Sequence, residues 1–132
     1  MDDAKAYIHS CAENSERQVT RAIIVEGRAV GSIGVFFGSD VYKKSAEIGY
    51  WLGYQYWGQG IASKALRLFG TEVFSAHPEI WRLSASILSP NTASMRVAVK
   101  AGFHEEAVLK QAAYKRETLM DLHIFSVLRN QW

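Results

Sequence analysis

Apolar and polar positions alternate from Ala46 to Leu52. Ile48, Tyr50 and Leu52 fall on one face, and Glu47, Gly49 and Trp51 on the other, the period of two of a half-buried strand. From Ile61 the period lengthens. Ile61, Ala65, Leu66, Phe69, Val73 and Phe74 recur near helical spacing. Gly58 and Gly60 punctuate the connection between the two patterns. The predicted unit is a strand, a glycine turn and a long amphipathic helix, which His77-Pro78 stops after about Ser75.

The same reading extends in both directions. Asp2 to about Asn14 reads as a helix, capped by Asp2 or Asp3, with Ala4, Tyr7, Ile8 and Cys11 as its apolar stripe. Val19–Glu26 and Ala29–Phe37 are predicted strands, joined as a hairpin at Glu26-Gly27-Arg28. Trp81–Leu88 alternates again and predicts another strand. Asn91 sits at the cap of a second amphipathic helix, and Gly102 ends it. Phe103–Tyr114, an irregular strand, and Leu119–Leu128 complete the chain around a turn at Lys115–Thr118. This order of elements implies a single α/β domain over residues 1–132, a mixed sheet flanked by helices.

Composition narrows the function classes. Hydrophobic residues at 48% and charged residues at 21% are ordinary for a globular domain, and one core suffices for 132 residues. A net charge of +2 without a basic run gives no nucleic-acid footprint. No apolar run approaches membrane-span length, and the polar start Met1-Asp2-Asp3 is not a signal peptide. Cys11 is the only cysteine, so no internal disulfide forms. A cytoplasmic protein is expected. His9, His77, His104 and His123 show no metal-ligand spacing, and no metal is expected. His123 shares a strand face with Asp121, and both could line a pocket or simply be paired.

The glycine turn carries the first chemical signal. A helix that opens directly after a strand and a glycine turn presents unpaired N–H groups and the positive end of its dipole, which suit a phosphate. The dinucleotide fingerprint fits poorly, because Ser63 occupies its third glycine position. The P-loop fails, since no Gly-Lys-Ser/Thr follows. Tyr54, Tyr56 and Trp57 crowd the turn and read as packing around the glycines.

A different pattern fits both halves of the chain. Gln55-x-x-Gly58-x-Gly60-x-Ala62, between a strand and a long helix, resembles the acyl-coenzyme A loop of the GNAT superfamily of N-acetyltransferases. Asn91-Thr92-Ala93-Ser94, running on to Lys100-Ala101-Gly102-Phe103, resembles that family's Asn-x-x-Ser helix. The resemblance covers roughly residues 17 to 128 and is nearest to the branch of ribosomal-protein N-terminal acetyltransferases. It implies the acyl-CoA N-acyltransferase fold, a mixed, mostly antiparallel central sheet flanked by helices. The family usually begins with a further strand and helical segment. This chain starts inside that region, so the fold is expected to lack its usual first strand. The bare edge would invite pairing, and a second subunit, as in a homodimer, is expected to cover it.

The resemblance also implies roles. The activity would be acetyl transfer from acetyl-CoA, as cosubstrate, to a primary amine by direct attack. The acceptor would be a protein N-terminus or a small-molecule amine. Around Gln55, Gly58 and Gly60, the backbone from Gln59 through Ile61, Ala62, Ser63 and Lys64 would hold the pyrophosphate. Trp51, Leu52 and Gly53 would pair with pantetheine, and the N–H of Trp51 or Leu52 would meet the thioester oxygen. Asn91 would hold pantetheine while also capping its helix. Ser94 would lie near the sulfur, or else bond its own backbone. Glu47 would be the base that takes the amine's proton, or else a solvated or salt-bridged strand carboxylate.

Two family positions are empty of chemistry. The tyrosine many members carry seven residues after the helix-start asparagine is Ala98, and the branch glutamate within Lys110–Tyr114 is Ala113. Those losses keep open the alternative of an acyl-CoA binding or sensing module without catalysis.

Overall fold

The structure is a computed structural model that describes the backbone of residues 6–10 and all of residues 17–132. Among the described residues seven strands form one sheet: β1 Ala6–Ser10, β2 Gln18–Val25, β3 Arg28–Phe37, β4 Ser45–Leu52, β5 Arg82–Leu88, β6 His104–Lys115 and β7 Thr118–Leu128. Their spatial order is β1-β2-β3-β4-β5-β7-β6. Two α-helices, α1 Ile61–Ala76 and α2 Thr92–Lys100, follow β4 and β5. Every neighbouring pair is antiparallel except β4 and β5. A parallel pair needs a crossover, and α1 supplies it.

The N-terminal expectation needs correction. Within the predicted helix Asp2–Asn14, the described residues Ala6–Ser10 form a strand, antiparallel to β2 from Ala6↔Val25 to Ser10↔Arg21. The rest of that stretch lies outside the described residues. The free edge of β2 offers a row of backbone donors and acceptors, and pairing with it outweighs a weak local helix signal. The edge left bare by the expected loss of a first strand is thus paired by the chain itself. Among the described residues the outer strand on that side is therefore β1, not β2.

Elsewhere the periodicities translate directly. Glu26 and Gly27 both take positive φ, 51° and 80°, as a two-residue turn between β2 and β3 requires. On β4, Ala46, Ile48 and Leu52 are buried while Glu47, Gly49 and Trp51 are exposed. The in-register neighbours Ala46 and Leu83 share a face. Both helices pack on that face, where Ile48, Leu66, Phe69, Leu83, Ala98, Phe103 and Phe125 form one core. The opposite face is open at Phe36, Glu47, Trp51 and Ser86.

The β4–β5 ladder is short. It runs from Ser45↔Arg82 to Glu47↔Ser84 and stops. Beyond it β4 stays paired with β3 as far as Leu52↔Gly31, while β5 stays paired with β7 as far as Leu88↔Leu122. The two halves of the sheet therefore part into a wedge that opens toward the carboxyl ends of both strands, where open α/β sheets place ligands.

The far end of α1 is pinned by one side chain. The Arg129 guanidinium donates to the carbonyls of Phe74, His77 and Ile80 at 3.0, 2.8 and 2.8 Å. It thereby satisfies groups that a helix terminus leaves open. Arg129→Met should lower stability by about 2 kcal/mol, since charge-assisted bonds to buried carbonyls are lost. The urea midpoint should fall with an unchanged m-value.

Candidate active site

A cleft of about 380 Å³ fills the wedge. Its walls are the end of β4, the glycine turn with the first turn of α1, and one side of α2. That size is in the range of small-molecule and cofactor sites.

The β4 wall offers unpaired backbone. Ser45 accepts from Gly38 and Gly53 donates to Val30, both on the β3 side. Lys44 instead accepts from Trp81 and Arg82 on the β5 side. Backbone direction alternates along a strand, so odd-numbered residues of β4 bond β3 and even-numbered ones face the wedge. Tyr50 and Leu52 thus turn their peptide groups into the cleft, and Trp51, opposite Ser32, turns its own into the β3 ladder. Of the two N–H groups expected to meet a thioester oxygen, only that of Leu52 faces the wedge. The Leu52 carbonyl is taken by the Trp57 indole N–H at 2.7 Å. Trp57, read from sequence as packing, therefore holds the end of the strand.

The turn wall is built by two positive-φ glycines, Gly58 at 75° and Gly60 at 79°. Gly60 is the N-cap of α1, in the left-handed region and without any side-chain cap. A Cβ at Gly58 would meet nothing within 4 Å, and one at Gly60 only the Lys100 ammonium at 3.7 Å. Backbone conformation, not crowding, selects glycine here. The Ser63 hydroxyl donates to the Gly60 carbonyl at 3.2 Å and Lys64 N–H to the same carbonyl at 3.1 Å. The N–H groups that open α1, at Ile61, Ala62 and Ser63, belong to the set that a helix start leaves unpaired. All three residues line the cleft.

The α2 wall brings side chains to bear. Asn91 Oδ1 accepts the Ser94 N–H at 3.1 Å, the expected helix cap. The Ser94 hydroxyl does not turn to its own backbone. It donates to Tyr50 Oη at 3.0 Å, and the Tyr50 hydroxyl donates to the Ser94 carbonyl at 2.9 Å. Burial pushes the Tyr50 phenol above its ordinary pKa, and the Ser94 hydrogen bond offsets part of the rise. Further along α2, Arg96, Val97 and Lys100 line the same side. Lys100 lies over the α1 N-terminus, so its charge adds to the helix dipole.

Of the residues singled out from the sequence, Trp51, Leu52, Gly58, Gly60, Ile61, Ala62, Ser63, Asn91 and Ser94 meet around the cleft. Gly53, Gln55, Gln59 and Lys64 support it from outside its lining; Gln59 donates to the Gln55 carbonyl at 3.2 Å. Glu47 stands apart, exposed on the open face at the last paired position of β4 and β5. His123 is paired with Glu105 at 2.7 Å and does not line the cleft. Asp121 accepts from the Gln111 N–H and from Lys110, which holds its carboxyl below the ordinary value. Among the described residues no cluster of His, Cys, Asp or Glu could hold a metal ion.

Sequence reasoning missed Tyr50, Arg96 and Lys100 as cleft residues. Arg96 and Lys100 are four residues apart, the spacing of one helix face, a signal that was legible for the two cations. Tyr50 gave no such signal, because its position in the alternation is that of a core residue.

Residues 1–104 match the family model described as the acetyltransferase (GNAT) domain. The chain is 33% identical over 104 residues to the ribosomal-protein-serine acetyltransferase of Escherichia coli (strain K12), covering 79% of this chain and 57% of that protein. It is 32% identical over 114 residues to the N-acetyltransferase YoaA of Bacillus subtilis (strain 168), covering 86% of this chain and 60% of that one. The chain thus spans about three fifths of the length of the curated relatives it matches. Among solved structures, RimL, a ribosomal L7/L12 alpha-N-protein acetyltransferase in complex with coenzyme A, superposes with a TM-score of 0.77 at 27% identity, over 85% of this chain and 62% of that one. A family match over so much of the chain, on a sheet parted in this way, means that the chain belongs to the GNAT acetyltransferase family.

Proposed function

We propose that this protein is an N-acetyltransferase that moves the acetyl group of acetyl-CoA to a primary amine by direct attack. One observation carries the reading: the free edge of β4 and the uncapped N-terminus of α1 open into the same cleft. An elongated molecule with a pyrophosphate at one end and amides along its length has a partner there for each part. The pyrophosphate meets the N–H groups at the start of α1. The pantetheine amides extend the sheet along this edge, where the peptide groups of Tyr50 have no strand partner. The Leu52 N–H then meets the thioester oxygen, where a preorganised donor lowers the barrier by about 3 kcal/mol. That the similar protein RimL was solved with coenzyme A supports this assignment.

The acceptor approaches from the open face. An ammonium is not nucleophilic, so its proton must leave before attack. Glu47 is exposed on that face, beside the apex of the wedge, and takes the proton directly or through a water. The E. coli relative, named as an acetyltransferase of a ribosomal-protein serine, favours a peptide N-terminus over a small amine. Ala98 and Ala113, where the family offers a tyrosine and its branch a glutamate, favour the second reading of a binding module without turnover.

Calorimetric titration with acetyl-CoA, followed by thiol release over a panel of peptides and amines, separates the two. A transferase releases thiol only when an acceptor is present; a sensor binds and releases none. Gly60→Val should weaken acetyl-CoA binding by about tenfold or more, because a β-branched residue is strained at positive φ and displaces the helix start. An unchanged dissociation constant would remove the phosphate role of this turn. Glu47→Gln should lower kcat by about a hundredfold, the low end of general-base contributions. Acetyl-CoA affinity should stay the same, and a wild-type kcat would leave Glu47 a surface carboxylate.

A further inference from the structure

Departure of the coenzyme A thiolate requires a donor, and the helix position that often supplies a phenol in this family is the buried Ala98. Serine alone is a poor substitute, because an alcohol is a far weaker acid than a thiol. The cleft nevertheless contains a phenol, carried by the strand instead of the helix. We propose that Tyr50 is the acid behind Ser94, and that the two hydroxyls form a relay that protonates the leaving thiolate. This rests on the transferase reading above.

The geometry is a closed pair. Ser94 Oγ donates to Tyr50 Oη at 3.0 Å while Tyr50 Oη donates to the Ser94 carbonyl at 2.9 Å. Both residues line the cleft. Each hydroxyl proton has a second place to go. When the Ser94 proton turns toward sulfur, the Tyr50 proton swings from the carbonyl oxygen to Ser94 Oγ, and both distances already suit hydrogen bonds. A phenol ionises near 10 and a cysteine-like thiol near 8.5. Burial makes Tyr50 a weaker acid than a free phenol, yet as a phenol it is still the more acidic of the two hydroxyls, and the relay stands on the hydrogen-bond geometry of the pair.

The step balances. The amine nitrogen forms the new C–N bond, and the C–S bond breaks with its electron pair left on sulfur. Sulfur takes the Ser94 Oγ proton, Ser94 takes the Tyr50 Oη proton, and Tyr50 regains one through water from the nitrogen that has just been acylated. The products are an amide and a neutral thiol, with no oxidant or reductant involved.

Tyr50 acts through Ser94, so it is a positioning and relay residue, and its hydroxyl also ties α2 to β4 across the cleft. Three variants separate these roles. Tyr50→Phe removes both the acid and the tie. Ser94→Ala removes the relay and leaves the tie, because Tyr50 bonds the Ser94 backbone carbonyl. The double variant tests whether the two hydroxyls work as one unit. Each single change should lower kcat by about a hundredfold. Acetyl-CoA affinity should hold within about twofold, and the double variant should be no slower than the singles, as for residues that act together.

A Tyr50→Phe protein with wild-type kcat, or with weakened affinity and unchanged kcat, would reduce Tyr50 to the tie. Losses that multiply in the double variant would make the hydroxyls independent and end the relay. If Tyr50→Phe does not fold, by its thermal melt, Ser94→Ala decides by itself: wild-type kcat there overturns the relay. Wild-type protein that binds acetyl-CoA yet releases no thiol with any acceptor would overturn the transferase reading and the relay together. Turnover by wild type with no loss in either variant overturns the relay alone.

Discussion

The early parting of β4 and β5 is the constraint from which the rest of the site follows. A parallel ladder that ends at Glu47↔Ser84 leaves the peptide groups of Tyr50 and Leu52 without a strand partner. Backbone donors and acceptors away from water are costly to leave unpaired. The protein meets that cost in part with its own group: the Trp57 indole takes the Leu52 carbonyl. What remains is a strand edge with unpaired peptide groups, the feature on which the proposed pairing with pantetheine rests. The apolar side chains of Ile48, Leu52 and Ile61 are buried in the core beneath this edge.

The turn and the helix depend on the same parting. Chain leaving β4 must turn sharply before it enters α1, and the left-handed conformation at Gly60 makes the turn without a side chain between the helix start and the cleft. An N-cap serine or aspartate would have supplied its own oxygen to the N–H groups. Its absence leaves those donors for an anion, with the Lys100 ammonium close by. At the other end of α1, Arg129 ties the closing carbonyls. One end of the helix is internally satisfied and the other carries no side-chain cap.

Most of this was legible in the order of residues, because it rests on local periodicity. The alternation at Ala46–Leu52, the change of period at Ile61 and the hairpin at Glu26-Gly27 each specify their own geometry. The N-terminal stretch was misread because Tyr7, Ile8 and Cys11 fit a helical stripe, whereas the free edge of β2 lies some fifteen residues away in sequence and is invisible to a local window. Tyr50 was missed for a related reason. Its ring follows the core pattern, while its hydroxyl finds a partner 44 residues further on. Periodicity reports which face a side chain takes, and is silent on what the polar tip of an otherwise apolar residue will meet.

The alternation of β4 also arranges the proposed chemistry. Glu47 and Tyr50 are three positions apart, so they fall on opposite faces of the strand. Glu47 stands on the open face, and Tyr50 with Ser94 on the face covered by the helices. Acyl transfer by direct attack needs a base where the amine enters and a donor where the sulfur leaves, and both must act across one carbonyl carbon. The alternation of the strand sets the two groups on opposite sides of the peptide plane. On α2, the buried Ala98 carries no polar group and packs the helix against the core, so the phenol at this cleft comes from the strand.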